Sequence, residues 1–85
     1  MSVSLSHETA CWLSAHWMEL ADWLPEPGCT WKHRDVRAES PFYSSLLVSK
    51  GIVDRVERDA DRVWSYRTRE SAYVRVMDYV EKAEE

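Results

Sequence analysis

The chain contains no asparagine and no glutamine. Without carboxamides it has no side chain for the bidentate amide contact to adenine, so any reading of bases must use hydroxyls, arginines or apolar contacts. Two glycines and three prolines in 85 residues leave little material for loops or linkers, and the length confines the chain to one small domain spanning residues 1–85. No apolar stretch approaches the roughly 18 residues that cross a bilayer. The opening segment MSVSLSHET lacks the basic start and apolar run of a signal peptide, giving the expectation of a soluble, cytoplasmic protein without membrane contact. Also missing are a glycine-rich phosphate loop, a nucleophile elbow and an H-E-x-x-H pair. Ser, His and Asp occur without a spacing that singles out a triad, and the chain is not expected to be an enzyme.

Cysteine is nearly absent. Cys11 and Cys29 are expected as free thiols in a chain with no export signal. His7 and Cys11 stand one helical turn apart, a spacing that suits chelation, and Cys29-x3-His33 offers a second pair with His16 in reserve. Cys29 and His33, however, straddle an expected helix start, and no C-x2-C pair exists. No metal and no other cofactor is expected, and a metal- or thiol-sensing role for these residues is a third, subordinate reading.

Aromatic residues are plentiful: five Trp, four Tyr and one Phe. Each can bury roughly 150–250 Å², which supplies a core without metal or disulfide. Arg outnumbers Lys eight to three and Val outnumbers Ile nine to one, a bias that fits a GC-rich genome and, with the acidic balance, a halophilic archaeon.

The formal net charge of −4 argues against nucleic-acid binding until the chain is divided. Residues 1–29 hold Glu8, Glu19, Asp22 and Glu26 and no Lys or Arg. Residues 30–69 hold nine bases against six acids, and residues 70–85 two bases against five acids. A basic centre lies between acidic ends.

Residues 6–24 read as a helix, capped by Ser6 and ended by Pro25. Ala10, Leu13, Trp17, Leu20 and Leu24 form its core stripe, and Trp12, His16 and Trp23 a second aromatic flank. After the PEPGC turn, Thr30 is positioned to cap a short helix, WKHRDVRAE. Ser40 and Pro41 start another, FYSSLLVSK, which Gly51 terminates. On this reading Leu46, Leu47 and Tyr43 point inward, with Phe42 beside them, and Pro41, Ser44, Ser45 and Val48 point outward. IVDRVERD and RVWSYRT then read as a β-hairpin around the tip Asp59-Ala60-Asp61, with Trp64, Tyr66 and Thr68 alternating. From Glu70 a last helix carries Tyr73, Val76, Met77, Val80 and Ala83 on one side.

The stretch SPFYSSLLVSKGIVDRVERDADRVWSYRTR, Ser40 to Arg69, with its core run L-V-S-K-G-I-V-D-R-V, resembles the small archaeal and bacterial winged-helix regulators, MarR- and ArsR-like or phage-repressor-like in build. The resemblance implies an α+β winged helix-turn-helix: three helices, a β-hairpin wing and a C-terminal helix. The helix-turn-helix would span about 30–50, the wing about 52–68 and the last helix about 70–84. It implies a transcriptional regulator that binds double-stranded DNA through a recognition helix in the major groove. DNA contacts then fall to Lys32, Arg34, Arg37, Ser40, Pro41, Ser44, Ser45, Lys50, Arg58 and Arg62. The recognition helix departs from the family pattern in lacking Arg, Lys, Gln or Asn on its outer face, so the cations suit phosphate contacts that position rather than specify. Several of them, Arg55 included, face the alternative of pairing with Asp54, Glu57, Asp59 and Asp61 across the hairpin. A winged-helix protein-interaction module without DNA binding is the second reading, supported by the uncharged helix face and the acidic balance.

The aromatic flank Trp12, His16 and Trp23, together with Tyr73, Val76 and Val80 of the last helix, exceeds what one small core must bury. A homodimer joined there would space two recognition helices about one DNA turn, roughly 34 Å, apart. Sedimentation at tens of micromolar is expected to give twice the mass of the single chain; a clean monomer contradicts the dimer.

Overall fold

A computed structural model describes residues 5–35 and 41–84, with the side chains of residues 41–44 outside the description. The first helix, α1 (His7–Trp23), begins as its sequence predicts, with the Ser6 hydroxyl accepting from the Thr9 N–H at 3.2 Å. Leu13, Leu20 and Leu24 are buried along it, with Trp17 packed at their edge. The helix stops at the extended Leu24 immediately before Pro25, whose ring disfavours a helical residue in front of it.

The next segment departs from the sequence-based expectation. Thr30–Lys32 is a strand, β1, followed by a single 3-10 turn at His33–Asp35; the rest of the expected helix, residues 36–40, lies outside the described residues. Trp31 accounts for the change. Its side chain is buried, edge-on to Trp23 at 6.1 Å and 5.2 Å from Tyr66, while its indole N–H donates to the Thr68 hydroxyl at 3.2 Å. Thr30 faces solvent beside it, the alternation of a strand with one buried face. The helical turn starts only afterwards, where the Asp35 carboxylate reaches back to the Lys32 N–H at 3.0 Å, one half of a capping box.

Helix α2 (Pro41–Ser49) ends as expected at Gly51, whose φ is +77°. The Gly51 N–H bonds the Val48 carbonyl and the Ile52 N–H the Leu47 carbonyl, the paired bonds of a Schellman motif. Leu47 and Ile52 are both fully buried at this junction. Thr9 of α1 donates its hydroxyl to the Lys50 carbonyl at 2.7 Å, tying the two helices together there.

Strands β2 (Val53–Arg58) and β3 (Trp64–Thr68) form the expected hairpin, although β3 begins two residues later than the sequence suggests. Helix α3 (Glu70–Ala83) follows directly and packs on α1, with Trp17 and Tyr79 stacked at 5.7 Å. The described residues therefore form an α+β fold of three α-helices and a three-stranded antiparallel sheet in the order β1-β3-β2. Its element order is helix, strand, helix, hairpin, helix.

The Trp31–Thr68 hydrogen bond is buried, so removing its acceptor strands a donor away from water. Thr68→Val, which keeps the side-chain shape, is expected to lower unfolding free energy by about 1–3 kcal/mol in chemical denaturation. An unchanged midpoint would show that the bond contributes nothing net.

Candidate nucleic-acid interface

Strand β2 carries one extra residue. Arg55 pairs with Tyr66 and Glu57 with Ser65, leaving Val56 unpaired as a bulge before Arg58 pairs with Trp64. In a regular strand, side chains three residues apart point to opposite faces. The bulge absorbs one residue and shifts the alternation, so Arg55 and Arg58 share the face that bears Trp64 and Tyr66. Their guanidiniums lie 5.3 and 5.5 Å from the Trp64 ring centroid, within cation–π range. Arg55 also reaches α2, with Nη2 donating to the Ser45 hydroxyl at 3.4 Å. Glu57, paired with Ser65, belongs to the opposite face.

The hairpin tip is built on Asp59. One carboxylate oxygen accepts from the Asp61 and Val63 N–H groups at 2.9 and 3.0 Å, and the other binds Lys32 Nζ at 2.7 Å. The Asp59 carboxyl is held down to about 2, first by the Lys32 hydrogen bond and then by the bond from the Val63 amide. Arg62 stands at the end of the turn with φ +64°, a left-handed conformation that glycine adopts at lower cost.

The described cations of this region divide into two groups. Lys32 is committed to Asp59, and Lys50 to Glu8 at 3.1 Å. Arg69 forms a two-pronged pair with Asp54 at 2.7 Å, and that hydrogen bond lowers the Asp54 carboxyl and raises the Arg69 guanidinium. Arg34, Arg55, Arg58, Arg62 and Arg67 are exposed and make no ion pair with another described residue. Arg37 and Ser40 lie outside the described residues, as do the side chains of Pro41, Tyr43, Phe42 and Ser44. Ser45 is exposed as expected. Leu46 and Val48 exchange the expected roles: Leu46 is 39% exposed and Val48 packs against the core, because Leu47 is the residue anchored to Ile52 by the helix-terminating turn.

The aromatic flank on α1 is also divided. Trp23 packs into the core against Trp31, whereas Trp12 stacks on the exposed His16 at 4.2 Å. Val76 has no exposed surface within the chain, which assigns it to the core rather than to an intersubunit face; Tyr73 and Val80 are half-buried. Cys11 and Cys29 are exposed and unbridged. Cys11 Sγ lies 3.5 Å from His7 Nε2, and among the described residues no group of three or more His, Cys, Asp or Glu side chains is placed to hold a metal ion.

Two features of the site were not read from the sequence: the partnership of Arg55 and Arg58 on Trp64, and the role of Asp59 as the organiser of the tip. Nothing in VDRVER marks which residue bulges. Asp59 was legible as a tip residue and as one of several carboxylates that could pair with the cations, but not its pairing with Lys32 in particular, which comes from a segment expected to be helical. Comparison with protein-family models, curated proteins and solved structures finds no match. Among the described residues no helix is long and apolar enough to cross a membrane.

The depressed carboxyls of Asp59 and Asp54 give the fold an acid limb. A carboxylate whose folded pKa lies below its unfolded value stabilises fully above the unfolded value, and that contribution is lost as pH falls. For Asp59 the loss runs from its ordinary 3.8 down to about 2. Asp59→Asn keeps an acceptor for the turn amides but removes the charge facing Lys32. It is expected to flatten the dependence of stability on pH in this window, measured by denaturant titrations at pH 2–5. An acid limb identical to that of the wild type would contradict the assignment.

Proposed function

We propose that this chain is a winged helix-turn-helix that binds double-stranded DNA as a transcriptional regulator, with α2 as the recognition helix and β2–β3 as the wing. The order of elements supports this reading: α2 leads through one glycine turn into the hairpin, and β1 closes the sheet beside β3. The observation that carries it is the set of exposed arginines on the hairpin, Arg55, Arg58 and Arg62, which no described carboxylate neutralises although the chain as a whole is acidic. Arg62 is the most telling of the three. A cation kept at a left-handed tip position, where glycine is less strained, suits a tip selected for charge.

In this reading the arginines contact phosphates and set orientation, while Ser45 on α2 meets base edges through its hydroxyl; Ser44, expected beside it, lies outside the described side chains. Pro41 begins the same helix, and Arg34, Arg37 and Ser40 precede it in sequence. Lys32 and Lys50 serve first as intramolecular ion-pair partners. A homodimer remains part of the proposal, with Trp12, His16, Tyr73 and Val80 at its interface. The second reading, a protein-interaction module, is favoured by the exposed apolar side chains Leu46 and Val56, the latter 42% exposed on the bulge.

Binding to a duplex of arbitrary sequence should weaken steeply between 50 and 200 mM salt, and each phosphate contact removed should reduce the log–log slope by about 0.9. Arg62→Ala is therefore expected to lower the slope by about that amount, and Ser45→Ala to alter discrimination between sequences with the slope kept. Absence of binding to any duplex at 50 mM salt overturns the regulator reading in favour of the protein-interaction module.

A further inference from the structure

We infer that Arg55 and Arg58, gathered over Trp64, form a phosphate-binding site. The inference rests on the duplex reading for the source of the phosphate, the DNA backbone; a free phosphate ion presents the same chemistry.

The β-bulge at Val56 puts two guanidiniums over one indole, where a regular strand would separate them across the sheet. Bringing two like charges together is unfavourable unless something opposes the repulsion. The negative face of the Trp64 ring opposes it in part, and a bound oxyanion would do so more fully. A cation–π contact engages the charge of a guanidinium without consuming its N–H donors, and the donor edge of that group matches phosphate oxygens. Of these donors, only Arg55 Nη2 has a partner among the described residues, the Ser45 hydroxyl at a long 3.4 Å. Arg69 shows the contrasting case, since its Nε and Nη2 are already bound to the Asp54 carboxylate. Of the acids adjacent to these arginines in sequence, Asp54 and Asp59 are taken up by Arg69 and Lys32, and Glu57, paired with Ser65, lies on the other face of the sheet.

The test uses the indole N–H resonance of Trp64, assigned by its loss in Trp64→Phe, in the full chain. Inorganic phosphate is titrated at constant ionic strength against chloride, and a duplex is titrated separately. The expected result is a saturable shift of the Trp64 resonance with phosphate. Arg55→Ala/Arg58→Ala should abolish it, and Arg58→Lys, which keeps charge but not the planar fork, should weaken it. The Trp31 indole resonance, buried against Thr68, reports that each variant is folded. Duplex binding should move the same Trp64 resonance, and its affinity should fall more in phosphate than in chloride of equal ionic strength. If phosphate moves Trp64 and no duplex binds, the site stands as one for free phosphate and the duplex reading falls. If a duplex binds while neither ligand moves Trp64, the site is overturned and the duplex reading stands. Silence from both ligands with no duplex binding overturns both.

Discussion

The burial of Trp31 organises this fold. A tryptophan six residues after the break at Pro25 is drawn against Trp23 and Tyr66, and its N–H finds the Thr68 hydroxyl. Satisfying that ring and that donor together requires Thr30–Lys32 to run extended beside β3, which gives the sheet its third strand. The hairpin then has a neighbour on one side, and the chain after Lys32 is delivered beside the hairpin tip. The Lys32–Asp59 pair closes the same arrangement from the other end.

With the sheet fixed in this way, charge is sorted by face. Asp54 and Asp59, two of the hairpin's acids, are taken up by Arg69 and Lys32, while Glu57 turns away from Trp64. Arg55 and Arg58 gather over Trp64, and Arg62 holds the tip. A chain with a net charge of −4 thus presents arginine donors on one side of one hairpin, next to the exposed Ser45 of α2. Long-range repulsion from the acidic ends would slow the approach of a polyanion and would itself be screened by salt. Local contact depends instead on donors within hydrogen-bond reach, and those the hairpin supplies.

Local signals made much of this legible. Ser6 as cap, Pro25 as terminator and Gly51 as a left-handed stop act through neighbouring backbone, so α1 and the end of α2 follow from sequence. The alternation of Trp64, Tyr66 and Thr68 marks β3 for the same reason. Thr30–Asp35 misleads because Thr before a polar, basic run is a fair helix start. Burial of Trp31 against residues 37 positions away in sequence overrides that local preference. Leu46 and Val48 differ from the helical phase read from sequence, since the turn that joins Leu47 to Ile52 sets which residues of α2 face the core. The Arg55–Trp64–Arg58 cluster was invisible because a one-residue bulge decides which face a side chain joins.

Amide hydrogen exchange of the chain with and without saturating duplex reads out where a duplex sits. Binding through the wing and α2 slows exchange in α2 and along β2–β3 toward the tip at Arg62 and leaves α1 and α3 unchanged. Slowing confined to α1 and α3, or exchange unaffected throughout, would contradict it.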